Sequence, residues 1–250
     1  MIKFSRTWIS ALIVVLATTA GVRAGTLHVG SNAAWGIAAD LYSPANPSQP
    51  ILHDIGDGAG NINPGSTLNG QSLPFMFCLD LTHDIYLNTD YSKTSVNAKG
   101  YILNDDPAKN SASVALTNAF GQLSNAGNIA YLMVNFAPLA VTNDQQLALQ
   151  SAIWAEVYGR NYVLLSNPGF PDSENNTIAS EQAWYLNHVH AGGNTNYIPE
   201  VFWINPTQDG ENYAQGQVGY GPTLTPNAVP TPVSHICVDT STSICGEMMR

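Results

Sequence analysis

Thr142-Asn143-Asp144-Gln145-Gln146-Leu147-Ala148-Leu149-Gln150-Ser151-Ala152-Ile153-Trp154-Ala155-Glu156-Val157-Tyr158-Gly159 is the stretch on which the fold class turns. Thr142 followed three residues later by Gln145 is a capping-box pair, Asp144 suits the positive end of a helix, and Gly159 is a fitting stop. Between them Gln150, Ile153, Trp154 and Val157 share one face, and Leu147 continues it. Just upstream, Ile129, Leu132, Met133 and Phe136 lie at i, i+3, i+4 and i+7, a second helical face stopped by Pro138. A third helix is expected over Ile178–His190, ended by Gly192-Gly193.

On both sides of this block the period shortens. Thr26–Val29, Trp35–Tyr42, Leu73–Leu81, Ile85–Leu87 and Tyr91–Leu103 read as strands, as do Ile198–Ile204 and Tyr213–Tyr220. Ser43–Pro50 reads as a loop, and the Gly- and Asn-rich Asp54–Asn69 as turns. The order strands, three helices, strands predicts an α+β fold: an antiparallel β-sandwich or barrel with an inserted three-helix segment. The expected organisation is a signal peptide over 1–24 and a domain over 25–221. That domain comprises a β lobe (25–120 and 197–221) and a helical insertion (121–196); a Pro/Thr linker and disordered tail follow over 222–250.

Lys3 and Arg6, the apolar run Trp8–Val22 and the small-residue end Val22-Arg23-Ala24 make the start read as a secretory signal rather than a membrane anchor. Without Lys3, Arg6 and Arg23 the net charge moves from −10 to −13, and the basic residues left are Lys93, Lys99, Lys109, Arg160 and Arg250. A duplex-binding surface needs a basic footprint, so nucleic acid is excluded as a partner. No later segment is apolar enough to span a bilayer, and a secreted or cell-surface location follows as an expectation. Secretion permits disulfides. Cys237 and Cys245 could close a small loop, which leaves Cys78 as the odd thiol: reactive, bridging between chains, or simply buried.

Cys78 stands in the apolar run Phe75-Met76-Phe77-Cys78-Leu79, followed by Asp80, His83 and Asp84. Gln150 stands on the apolar stripe of its helix, where a carboxamide must find hydrogen-bond partners or cost a few kcal/mol. Separately, each has a plain reading as a core thiol and a satisfied core amide. Together they suggest more: a thiolate held against a carboxamide carbonyl can displace ammonia and form an internal thioester. Phe77 and Trp154 would shield that bond from water, and Asp80 or His83 would assist its formation.

The aromatic-Cys pair Phe77-Cys78 and the glutamine motif Leu149-Gln150-Ser151-Ala152-Ile153-Trp154 resemble the thioester domain of bacterial surface adhesins. The run Phe77-Cys78-Leu79-Asp80-Leu81-Thr82-His83-Asp84-Ile85, with Ala148–Tyr158, is similar to a secreted Gram-negative subset whose tail carries a PEP-CTERM-type sorting signal. The resemblance implies a Cys–Gln bond between a β-rich lobe and a helix, and covalent attachment to amine-bearing surface or matrix components. It implies no metal or organic cofactor and at most one turnover, so no enzyme in the usual sense. The tail departs from the subset: Val229-Pro230-Thr231-Pro232 stands where Pro-Glu-Pro is expected, with no apolar span after it.

Two other classes remain open. One is a non-covalent extracellular β-sandwich module, a matrix component or a carbohydrate binder using Trp35, Trp184 or Trp203. The other is a secreted cysteine hydrolase pairing Cys78 with His83 or His188, although a strand-centred cysteine lacks the usual causes of a depressed pKa. Asp54, Asp57 and Asn61 resemble a calcium loop only superficially and read as turn formers. His188 and His190 lack a third zinc ligand and read as helix C-terminal residues, and Glu156 lacks a partner carboxylate for glycosidase chemistry.

Overall fold

Short-period and helical-period sequence alternate in the chain as they do in space. The computed structural model describes residues 23–102, 122–192, 200–208 and 212–221. Strands β1 (Arg23–His28), β2 (Ala34–Ser43), β3 (Asn46–Ala59), β4 (Thr67–Leu68), β5 (Gln71–Ser72), β6 (Phe75–Cys78) and β7 (Asp90–Asn97) come first. Helices α1 (Ala126–Phe136) and α2 (Asn143–Tyr158), a 3-10 turn (Gly159–Asn161), strand β8 (Tyr162–Leu164) and helix α3 (Asp172–Gly192) follow. Strands β9 (Val201–Gln208), β10 (Asn212–Tyr213) and β11 (Gln217–Tyr220) complete the described residues.

Every strand pairing is antiparallel. The larger sheet runs β5-β4-β1-β7-β9-β11-β6 with β10 beside β9, and the smaller runs β3-β2-β8. The larger sheet curls into a half-barrel, and with the three helices the fold is α+β. A single buried apolar cluster joins sheets and helices, with Trp154, Trp203, Tyr91, Tyr158 and Phe77 among its largest members. Helix α2 runs through the middle of this arrangement, against β2, β3 and β6 as well as against α1 and α3. Its start is as the sequence suggests: Gln145 N donates to Thr142 Oγ1, and Thr142 N donates to Gln145 Oε1, each at 3.2 Å.

Several expected boundaries differ. The segment read as loop and turns forms β3 over Asn46–Ala59, paired along its length with β2. Pro47 and Pro50 hid it, but β3 is an edge strand, where a missing N–H costs no ladder bond. Register shifts between Leu41 and Ser43 and between Trp35 and Ala38 absorb the remaining irregularity. Ile85–Leu87 is not a strand; these residues line a cleft. β7 stops at Asn97, whose side-chain oxygen accepts from Lys99 N and Tyr101 N and turns the chain toward Gly100 at φ +80°. α3 begins six residues before Ile178, because its first turns are polar and show no apolar period. β8 was not expected: it lies inside the segment read as a helical insertion and extends β2. The 1–24 signal reading falls outside the described residues except for Arg23 and Ala24, which open β1 opposite Val96 and Ser95. The 222–250 tail, with Cys237 and Cys245, lies outside them altogether. No described helix is long and apolar enough to cross a membrane.

One glycine fixes how β2 meets the helical layer. Gly36 sits at φ +111°, and a Cβ there would lie 2.0 Å from the ring of Phe170. Asn167 Nδ2 donates to Gly36 O at 2.7 Å, so ring and amide together seat the 167–170 turn on the strand. Gly36→Ala combines a strained φ with displacement of a packed ring, and is expected to cost about 3 kcal/mol or more. Urea unfolding of the variant beside the parent chain measures this loss.

Candidate functional site

Strand β6 is the last strand of the larger sheet, so one edge of it faces away from β11. An edge leaves N–H and C=O groups unpaired, and buried ones must find partners elsewhere. At Met76 the partners come from the loop after β3: Met76 N donates to Asn61 Oδ1 at 2.9 Å, and Ile62 N donates to Met76 O at 2.8 Å. At Cys78 they come from a helix. Cys78 N donates to Gln150 Oε1 at 2.9 Å, and Gln150 Nε2 donates to Cys78 O at 2.6 Å. The carboxamide thus acts as a one-residue strand laid along the edge. Gln150 is 0% exposed and Cys78 3%, so both bonds are dry. The two residues singled out in the sequence, 72 positions apart, meet in the interior.

The sulfur has its own neighbour. Cys78 is directly opposite Gln217 in the β6–β11 ladder, and Gln217 Nε2 lies 3.7 Å from Cys78 Sγ. The same nitrogen donates to Gln215 O at 3.1 Å, while Gln217 Oε1 is buried with no hydrogen-bond partner among the described residues. Burial pushes the Cys78 thiol up to about 12; the Gln217 bond pulls it partly back, and the charge of Asp80 adds to the rise. At neutral pH the sulfur therefore carries its proton.

Beyond Cys78 the chain turns sharply. Leu79 N donates to Gly216 O at 2.7 Å, and Gln215 N donates to Asp84 O at 3.0 Å. Asp80 Oδ1 accepts from Thr82 N and Thr82 Oγ1, both at 2.7 Å, and Asp80 Oδ2 makes a short contact with His83 Nδ1. Gln215 Nε2 donates to Asp80 O at 2.5 Å. Helix α2 reaches this turn too: Leu81 N donates to Tyr158 Oη at 2.8 Å, two helical turns beyond Gln150. One helix face therefore grips the backbone at Cys78 and again at Leu81. Above Cys78 opens a cleft of about 240 Å³ lined by Trp154, Ile37, Leu81, His83, Asp84 and Ile85, with Trp35 and Tyr86 more than half exposed.

No family model, curated protein or solved structure compared with this chain matches it. The chemistry of the site rests on its own geometry.

The remaining candidates are distributed as follows. Trp154 lines the cleft and is almost fully buried. Phe77 is buried next to Cys78, but strand alternation turns it to the opposite face, and it is not among the cleft residues. His188 is on α3, its Nδ1 2.8 Å from Trp184 O and its ring 4.0 Å from the Trp184 ring, away from the cleft. His190 does more than face a helix end: its Nε2 lies 2.7 Å from Glu156 Oε1, and Asn128 Nδ2 donates to Glu156 Oε2 at 2.8 Å. Asp54 lies on β3, and Asn61 holds Met76 and Pro74. No group of three or more potential metal ligands occurs among the described residues.

Gln217 and Tyr158 were missed. Gln217 is a polar residue in a short apolar strand, a mild signal that becomes meaningful only with the β6–β11 register. Tyr158 reads as one more aromatic on the helix until its hydroxyl is seen on Leu81.

Three expectations follow. Gln150→Ala leaves the Cys78 N–H and C=O buried without partners and should cost about 2–4 kcal/mol, read from the urea midpoint. Because the buried thiol ionises later than the unfolded one, the folded chain holds more protons between the ordinary thiol pKa and about 12. Cys78 therefore lowers folding stability as pH rises through that window. In any form with a free thiol, iodoacetamide at pH 8 should modify native Cys78 on the order of a hundredfold or more slower than the unfolded chain, followed by peptide mass spectrometry.

Proposed function

We propose that this chain is a secreted attachment protein that joins Cys78 Sγ to the side-chain carbonyl carbon of Gln150 and then transfers that acyl group to an amine on a surface or matrix component. The observation that carries this reading is the pair of hydrogen bonds between the Gln150 carboxamide and the Cys78 backbone. They hold one carboxamide, in one orientation, against the backbone of the residue that carries the thiol, with almost no access to water. Enforced proximity of this kind replaces much of the cost of bringing two reactants together.

In the first step sulfur attacks the amide carbon, the S–Cδ bond forms, the Cδ–Nε2 bond breaks, and the thiol proton leaves with nitrogen as ammonia. In the second, an amine attacks the same carbon, a new amide forms, and sulfur recovers a proton from the amine. No oxidant and no cofactor is required. The Asp80–His83 pair lies on the turn directly after Cys78, and His83 lines the cleft, a suitable station for the proton that the amine gives up. Asp54 and Asp84 also line the cleft, and their charge favours the approach of an ammonium group. Each molecule reacts once, which makes the protein a tether and not a turnover catalyst. The resemblance to adhesin thioester domains supports the same reading, including a location outside the cell.

The second reading is a non-covalent extracellular module. It is favoured by the same bonds seen differently: the Gln150 carboxamide already has both its oxygen and its nitrogen paired, as a purely structural clip would. Intact mass separates the two. The attachment protein is lighter than its sequence by one ammonia and gains methylamine at Gln150, whereas Cys78→Ala does neither. Full sequence mass with no methylamine uptake would leave the binding module standing instead.

A further inference from the structure

We propose that Gln217 is a catalytic residue of this site, its side-chain N–H receiving the negative charge that develops on the Cys78 sulfur when the acyl group is transferred to an amine. This rests on the thioester reading above. Sulfur must depart from the tetrahedral carbon as a thiolate before it takes up a proton, and it does so in surroundings that are 3% exposed. An unsolvated thiolate is costly, and a fixed donor aimed at it is the remedy that does not admit water. Gln217 is placed for that task by strand register, directly across the ladder from Cys78, not by a flexible loop. Its nitrogen is 3.7 Å from Sγ, and its Gln215 partners, the carbonyl at 3.1 Å and the side-chain oxygen at 3.3 Å, hold that nitrogen in place.

A second observation points the same way. Gln217 is fully buried, yet Oε1 has no hydrogen-bond partner among the described residues. A glutamine retained only for packing would be better replaced by an apolar residue of equal length, because a buried unpaired carbonyl is a net loss to folding. The residue makes sense where its N–H is needed at the sulfur. The two glutamines around Cys78 then have separate duties: Gln150, paired to the backbone, supplies the acyl carbon, and Gln217, beside the sulfur, supplies the donor.

Gln217→Met keeps the side-chain length and removes the donor; Gln217→Glu keeps the shape and replaces the amide N–H with a carboxyl oxygen. Both are made in the full chain, with thermal melting to establish that they fold. The expected result is that both still show the ammonia deficit on long incubation, but that methylamine uptake falls at least tenfold. Alkylation of the free Cys78 thiol at pH 9, measured after methylamine opening, should fall by a similar factor. Uptake and alkylation within twofold of the parent chain in a folded Gln217→Met would overturn the proposal. So would methylamine mapped to residue 217 in the parent chain, since Gln217 would then be the acyl donor. If the parent chain has full sequence mass, the attachment reading fails by itself. The alkylation comparison, made directly on the free thiol, then still decides whether Gln217 supports the thiolate: a tenfold loss sustains that role and no change ends it.

Discussion

The two hydrogen bonds between the Gln150 carboxamide and the Cys78 backbone are the constraint on which the rest of this structure depends. A half-barrel with an open edge strand would expose or strand the polar groups of β6. The loop after β3 pairs that edge at Met76, and helix α2 closes it at Cys78 with one side chain that imitates the pairing groups of a neighbouring strand. The helix is consequently held in both position and rotation, because a shift by one residue would replace Gln150 with Leu149 or Ser151 and leave the edge unpaired. Tyr158 repeats the grip at Leu81, so the alignment of helix and strand is set at two points along the same face.

Polar links on the far sides of α2 reinforce this placement. Ser151 is fully buried, its hydroxyl 2.7 Å from Tyr162 Oη and receiving a bond from Gln182 Nε2 at 2.8 Å, which joins α2 to β8 and α3. Burial raises the Tyr162 phenol, with the Ser151 bond lowering it in part, so this link is a neutral one. Glu156 is almost completely buried and is held by Asn128 from α1 and His190 from α3. A buried carboxylate needs such partners, and here they come from two different helices. The middle helix is therefore tied to β6, β8, α1 and α3 through polar links in which Gln150, Ser151 and Glu156 are themselves buried.

Burial acts on the site in two directions. It keeps water away from the Cys78–Gln150 contact, and it holds the Cys78 thiol in its protonated, less nucleophilic form. A buried thiol with no donor nearby would be inert core. Under the proposed acyl transfer, Gln217 beside the sulfur and the Gln150 carboxamide fixed on the Cys78 backbone would serve the two ends of the breaking bond.

The sequence by itself determined the succession of strand-period and helix-period segments, the capped start and glycine stop of α2, and the apolar faces of α1 and α2. These signals are local, written in residues three or four apart. It also singled out Cys78 and Gln150, because an odd thiol in an apolar strand and an amide on an apolar stripe are both unusual for their surroundings. β3 escaped because its prolines and glycines are turn signals by propensity, and only its edge position in the sheet makes them tolerable. β8 escaped because three residues carry no period. What tertiary structure alone decided is the meeting of distant chain: Gln150 on the free edge of β6, Gln217 opposite Cys78, Tyr158 on Leu81, and His190 on Glu156. Strand register and sheet order select those partners, and both are settled by the packing of the whole core, not by any one segment.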